Sequence, residues 1–137
     1  LTPLPGDDGQ FTPETFRAAL HPRSRYQPPQ TVVSVEQTAN IGGGTIWKKA
    51  DLDEIVQIAK ANAMATHMDG ARLLNACVAT GISARDMAAG WDSAWIDFSK
   101  GLGAPVGGAP PGLSAAREGD GAGRCSGLDL FPASAQG

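Results

Sequence analysis

Three short runs of the chain are rich in β-branched or other apolar residues, and each ends on or just before a charged one. "TVVSV" (Thr31–Val35) is followed by Glu36, "AMATHM" (Ala63–Met68) by Asp69, and "SAWIDF" (Ser93–Phe98) by Lys100 two places on. Segments of helical period separate them. Leu52, Ile55, Val56, Ala59 and Ala63 recur at three- and four-residue spacing, with charges on the other face and Asp51 as the expected N-cap. Leu73, Leu74, Cys77 and Val78 mark a further helix that should end near Gly81, and "SARDMAAG" a short one capped by Ser83 and stopped by Gly90. Strand–helix alternation of this kind predicts βαβ units: an α/β fold with a parallel or mixed sheet and flanking helices. "TVVSV" reads as a buried parallel strand. Ahead of it, "FTPETFRAAL" should form a helix capped by Thr12, with Pro13 at its first position.

Composition bounds the rest. At 137 residues the chain has room for one domain, and 42% hydrophobic content is ordinary for a globular protein. A net charge of −3 gives no reason to expect nucleic acid or an anionic membrane as partner. No apolar stretch nears the roughly 20 residues of a membrane helix, and no basic-then-apolar leader is visible. Cys77 and Cys125, far apart, make neither a disulfide framework nor a metal motif, which fits a reducing, cytoplasmic setting. The opening Leu1 predicts a processed chain or a piece of a longer one. From Gly107 the residues are mainly Gly, Ala, Pro and Ser without period. The expected organisation is therefore a folded part over 1–108 and an irregular tail over 109–137.

Open parallel sheets bind ligands beyond the carboxyl ends of their strands. Glu36, Asp69 and Lys100 are expected there. An acid and a lysine on neighbouring strand ends fit a pyridoxal phosphate site, where the lysine forms the Schiff base and the Asp pairs with the protonated pyridine nitrogen. Arg72, three residues beyond Asp69, should lie near the same spot, and the small residues around Lys100 would let backbone approach a flat cofactor. Bland readings stand beside these. Lys100 could be a solvated loop lysine, Asp69–Arg72 a structural ion pair, and Trp47, Trp91 and Trp95 packing residues. His67 and Asp69 are two metal-ligand types without a third, so no metal is expected. The triple glycine 42–44 lacks the following Lys-Ser/Thr of a nucleotide phosphate loop.

"HMDGARLLNA" (His67–Ala76) together with "DFSKGLGAPVG" (Asp97–Gly107) resembles the low-specificity threonine aldolases, pyridoxal phosphate enzymes of the aspartate-aminotransferase-like group. "VVSVEQTANIGGG" is similar to the family segment upstream, and the resemblance covers about residues 4–108. It implies that Lys100 is the Schiff-base lysine, that Asp69 binds the pyridine nitrogen, and that Arg72 sits by the ring. Glu36 and His67 are candidates for the substrate side. The implied cofactor is pyridoxal 5′-phosphate. The implied reaction is retro-aldol cleavage of a β-hydroxy-α-amino acid, such as threonine, to glycine and an aldehyde. A dimer or tetramer is implied for a complete parent. Ala39 stands where the family carries a histidine associated with the substrate hydroxyl. The family's phosphate-binding loop and ring-stacking histidine are expected upstream of the first strand here, and the tail reads like an altered frame. Three readings follow: a piece of an active aldolase, a non-catalytic truncated product, or a related enzyme performing β-elimination or racemisation.

Overall fold

The computed structural model describes residues 2–109. The expected tail from 110 onward lies outside the described residues. The elements, in chain order, are α1 (Pro13–Ala19), β1 (Val32–Glu36), α2 (Lys49–Ala61), β2 (Ala65–Asp69), α3 (Leu73–Thr80), α4 (Ala84–Met87), β3 (Ser93–Asp97) and β4 (Gly108–Ala109). They form one sheet in the order β1-β2-β3-β4. The first three strands are parallel, and β4 returns antiparallel to β3. The α/β fold with a mixed sheet and flanking helices is thus as the alternation predicts.

The core lies on one face of that sheet. Val33, Val35, Thr66, Met68, Ala94 and Ile96 are buried there, with Leu52, Ile55, Val56 and Ala59 of α2. Consecutive parallel strands joined by crossovers of the usual hand lay their helices on the same side. The opposite face carries exposed Val32, Ser34, Ala65 and Ser93, and half-buried Glu36, His67, Asp69 and Trp95. The expectation of a fully buried first strand is therefore corrected. β1 buries alternate residues, and Ser34, mid-run, marks the open face.

Local signals set most boundaries. The Thr12 hydroxyl accepts the Thr15 N–H at 3.1 Å and starts α1. Buried Phe16 meets Phe11, which meets Trp47 edge-on at 5.0 Å. Gly81, at φ 72°, closes α3 by donating its N–H to the Cys77 carbonyl at 2.8 Å. The Ser83 hydroxyl accepts the Asp86 N–H at 3.0 Å and caps α4. The expected cap of α2 is corrected: Lys48 takes that position without a side-chain bond, and Asp51 sits inside the first turn. Trp47 causes the shift. Its backbone N–H donates to Gln37 Oε1 and its indole to the Glu36 carbonyl, so the chain is fixed just before residue 48. Asp51 still meets the positive end of the helix dipole. Ala63 belongs to neither neighbouring element. Asn62 ends α2, Ala63 turns at φ 54°, and β2 starts at Ala65. Cys77 is half-buried at the core margin rather than inside it, and burial raises its thiol pKa. Trp47 and Trp91 are packing residues, each 2% exposed; Trp95 is not.

Candidate functional site

The strand register builds the site. Glu36 lies opposite Asp69, and Asp69 opposite Trp95, so the three form one row across the carboxyl end of the sheet. One row back on the same face, Ser34 lies opposite His67, and His67 opposite Ser93. His67 Nδ1 is 2.8 Å from Ser93 Oγ. His67 is therefore two residues behind the end row, roughly 6.5 Å along the strand, and is not brought to Asp69. No cluster of three or more potential metal ligands occurs among the described residues.

Asp69 closes β2 with one carboxylate oxygen doubly engaged. Its Oδ1 accepts the Ala71 N–H at 3.0 Å and the Trp95 indole N–H at 2.7 Å. Its Oδ2 accepts no hydrogen bond among the described residues. Gly70 follows because nothing larger fits: its N–H donates to the Trp95 carbonyl at 2.9 Å, and a Cβ there would lie 2.5 Å from that oxygen.

Arg72 takes the N-cap position of α3, and its backbone N–H donates to the Gln37 carbonyl at 3.2 Å. The guanidinium turns toward Glu36, with Nη1 3.9 Å from Oε1. The structural pair expected between Asp69 and Arg72 does not form among the described residues; Glu36 is the acid that Arg72 faces. Glu36 also accepts the Asn40 N–H at 2.9 Å. Arg72 Nη1 is buried and has no hydrogen-bond partner among the described residues.

Lys100 lies in the loop between β3 and β4, three residues past the strand end. Phe98 N–H to the Gly107 carbonyl and Ala104 N–H to the Phe98 carbonyl close that loop. Lys100 Nζ is 3.4 Å from Asp97 Oδ2. Asp97 is buried, and its Oδ1 accepts the Ser99 hydroxyl at 2.5 Å and the Ser99 N–H at 2.8 Å. These two bonds, then the nearby Lys100 ammonium, hold its carboxyl below the usual carboxylate range. The glycine after Lys100 has a protein neighbour rather than open space: a Cβ on Gly101 would lie 2.4 Å from Asn75 Oδ1. The Lys100 loop and the start of α3 thus meet along a seam formed by Gly70, Arg72, Asn75, Asp97 and Gly101.

Two participants escaped the sequence reading. Asp97 is legible afterwards as an Asp with Ser two places on, the signature of a side chain bonding its own backbone turn. Trp95 has no such local signal, because only the register sets it beside Asp69.

The residues present can be matched to a pyridoxal-type ring. Asp69 Oδ2 is an acceptor without a donor, Arg72 Nη1 a buried donor without an acceptor, and Lys100 an amine on the adjoining loop. That set fits a flat, polar ring bearing an aldehyde. It offers nothing for a phosphate. In the glycine turn 42–44, Gly42 is packed against the N-terminal segment, since a Cβ there would lie 1.8 Å from the Asp8 carbonyl oxygen. Ala39, 1% exposed, is buried under the same N-terminal segment.

Glu36 and Asp69 at strand ends, with Arg72 and Lys100 in the segments that follow, lie at the carboxyl end of the sheet, where open α/β sheets bind ligands. Comparison with known proteins specifies the family. The family model described as "Beta-eliminating lyase" matches residues 1–110, and the chain belongs to that family. "Low-specificity L-threonine aldolase 1" of Arabidopsis thaliana is 35% identical over 103 residues, covering 74% of this chain and 29% of that protein. "Alanine racemase TOXG" of Cochliobolus carbonum is 44% identical over 80 residues, covering 58% of this chain and 20% of that protein. A crystal structure described as a putative L-allo-threonine aldolase from Listeria monocytogenes superimposes with TM-score 0.65 at 25% identity, covering 77% of this chain and 27% of that one. The chain spans less than a third of the length of these relatives. No helix among the described residues is long and apolar enough to cross a membrane.

Proposed function

We propose that this chain carries the ring-binding and lysine-bearing part of a pyridoxal 5′-phosphate-dependent lyase that cleaves β-hydroxy-α-amino acids such as threonine. The products are glycine and an aldehyde. The observation that carries the reading is the convergence of Asp69, Arg72 and the Lys100 loop at one sheet edge, with a donor and an acceptor left unused. The cofactor, when bound, supplies an electron sink for the carbanion left at the substrate's Cα.

The chain's own residues do the rest. Lys100 would hold the cofactor through Nζ. Asp97, bonded by Ser99, holds the Lys100 amine at the mouth of the loop. Asp69 Oδ2 would accept from a protonated ring nitrogen and help keep the ring electron-poor. Arg72 donates to the polar edge of the ring. Glu36 orients Arg72 from behind. His67 lies on the same face one row back, two residues behind the end row. The binding part spans residues 1–108, the small-molecule partner is an amino acid, the setting is cytoplasmic, and the complete parent is a homo-oligomer.

Buried Ala39 supports a second reading. An alanine methyl cannot take a proton from a substrate hydroxyl, so bond cleavage next to that hydroxyl has no base at this position. Racemisation or β-elimination needs no such contact, and one relative bears a racemase name. Product analysis separates the two. The parent protein, loaded with pyridoxal phosphate, is given threonine and, separately, single-enantiomer alanine. Glycine with acetaldehyde supports the aldolase, and loss of optical rotation of alanine supports the racemase. Neither product, at full cofactor loading, would favour a non-catalytic chain.

A further inference from the structure

The Trp95–Asp69 bond is the polar contact at the site for which neither motif nor family gives a reason. A carboxylate rotates about a broad, two-fold torsion, so a single donor leaves its free oxygen poorly aimed. Asp69 Oδ1 has two donors from different directions: the Ala71 N–H at 3.0 Å and the Trp95 indole N–H at 2.7 Å. Together they fix the carboxylate plane and leave Oδ2 as the open acceptor. The indole is itself held. A Cβ on Gly108 would lie 2.3 Å from its Cζ3 and 2.8 Å from its Cε3, so the ring lies across β4 where only glycine admits it. Its backbone carbonyl is tied to the Gly70 N–H at 2.9 Å. Indole donates and cannot accept, so this neighbour holds Oδ1 as an acceptor.

We infer that Trp95 is a positioning residue: it pins one oxygen of Asp69 so that the other is presented to a protonated ring nitrogen. The inference rests on the pyridoxal reading of the site. A merely structural indole would need an acceptor, and Asp69 would serve, but it would be indifferent to what the other oxygen binds.

The test separates these. Trp95→Phe keeps an aromatic ring at this position and removes the N–H. Binding of two probes is followed by borohydride trapping on Lys100: pyridoxal phosphate, and its 1-deaza analogue with CH in place of the ring nitrogen. Trp95→Phe should weaken pyridoxal phosphate by about tenfold, as loss of a bond to a charged group does, and leave the deaza analogue unchanged. In an Asp69→Asn background the same change should have no further effect. Equal weakening of both probes, or full weakening in the Asp69→Asn background, overturns the positioning role. In unmutated protein labelled with ¹⁵N, the Trp95 indole N–H resonance should move with pyridoxal phosphate and hold still with the analogue. Equal movement with both also overturns the role, and needs no variant to fold. Trapping of neither probe on Lys100 in unmutated protein fails the pyridoxal reading itself, an outcome distinct from the two above.

Discussion

A lysine 3.4 Å from a buried carboxylate has its position chosen for it. Asp97 accepts two hydrogen bonds from Ser99, both shorter than its contact with Lys100, so the acid is held by the turn and the amine lies against it. Because the folded state lowers the Asp97 pKa, its ionised form contributes stability above the ordinary carboxylate pKa. That contribution disappears as pH falls through the lowered native value. Asp97→Asn should therefore flatten the acid limb of stability. Urea midpoints taken between about pH 5 and pH 2 should fall less steeply in the variant than in the wild type. Parallel curves would remove Asp97 from the account. Asp69 belongs to the same scale. In the cofactor-loaded parent, Asp69→Asn should leave some cofactor bound and raise the barrier to turnover by several kcal/mol, on the order of one preorganised charge lost. Near-normal kcat would reduce Asp69 to an acceptor for Trp95.

At the scale of elements, helix ends carry measurable energy. Thr12→Ala removes the only side-chain cap of α1 and should cost about 1 kcal/mol in urea unfolding. Gly81→Ala places a Cβ at φ 72° and should cost about the same, with no steric neighbour to blame, since nothing lies within 4 Å. Gly70→Ala should cost more than either, because its Cβ would meet the Trp95 carbonyl at 2.5 Å. If Gly70→Ala proves the mildest of the three, the close approach of Gly70 to β3 is wrong. Such features were largely legible beforehand. Period and capping residues in the sequence mark α1, α3 and α4, and the β-branched runs mark β1 to β3. The start of α2 was not legible, since Trp47 fixes it through Gln37, ten residues away in sequence. Nor was β4, whose two residues, Gly and Ala, carry no strand preference and pair only because the Lys100 loop returns them to Ile96 and Asp97. Glu36, Asp69 and Lys100 could be placed at strand ends because strand ends can be read. Trp95 at Asp69 and Glu36 at Arg72 could not, because cross-strand register and side-chain direction decide them.

For the whole molecule the decisive asymmetry is between the two faces of the sheet. One is packed by α2 and its neighbours. The other presents Val32, Ser34, Ala65 and Ser93 to solvent, with His67 half-buried among them, beside an edge strand, β1, whose outer side pairs with no strand among the described residues. Parallel sheets are ordinarily covered on both faces, and open edges recruit other strands. The 137-residue chain should self-associate with rising concentration. Sedimentation velocity should show the mean coefficient climbing, and Val32→Lys should suppress the climb. A concentration-independent monomer would mean that face and edge are covered.

The central claim is that the Lys100 loop, Asp69 and Arg72 form a site for a pyridoxal ring, and one measurement addresses it directly. The chain holds four lysines: Lys48, Lys49, Lys60 and Lys100. Incubation with increasing pyridoxal phosphate, borohydride reduction and peptide mass mapping reports which of them bonds the aldehyde. The account predicts saturable labelling of Lys100 ahead of the other three. Asp69→Asn should weaken it, and pyridoxal without its phosphate should label almost as well, because the described residues hold no phosphate cradle. Equal, unsaturable labelling of all four lysines, indifferent to Asp69→Asn, would contradict it.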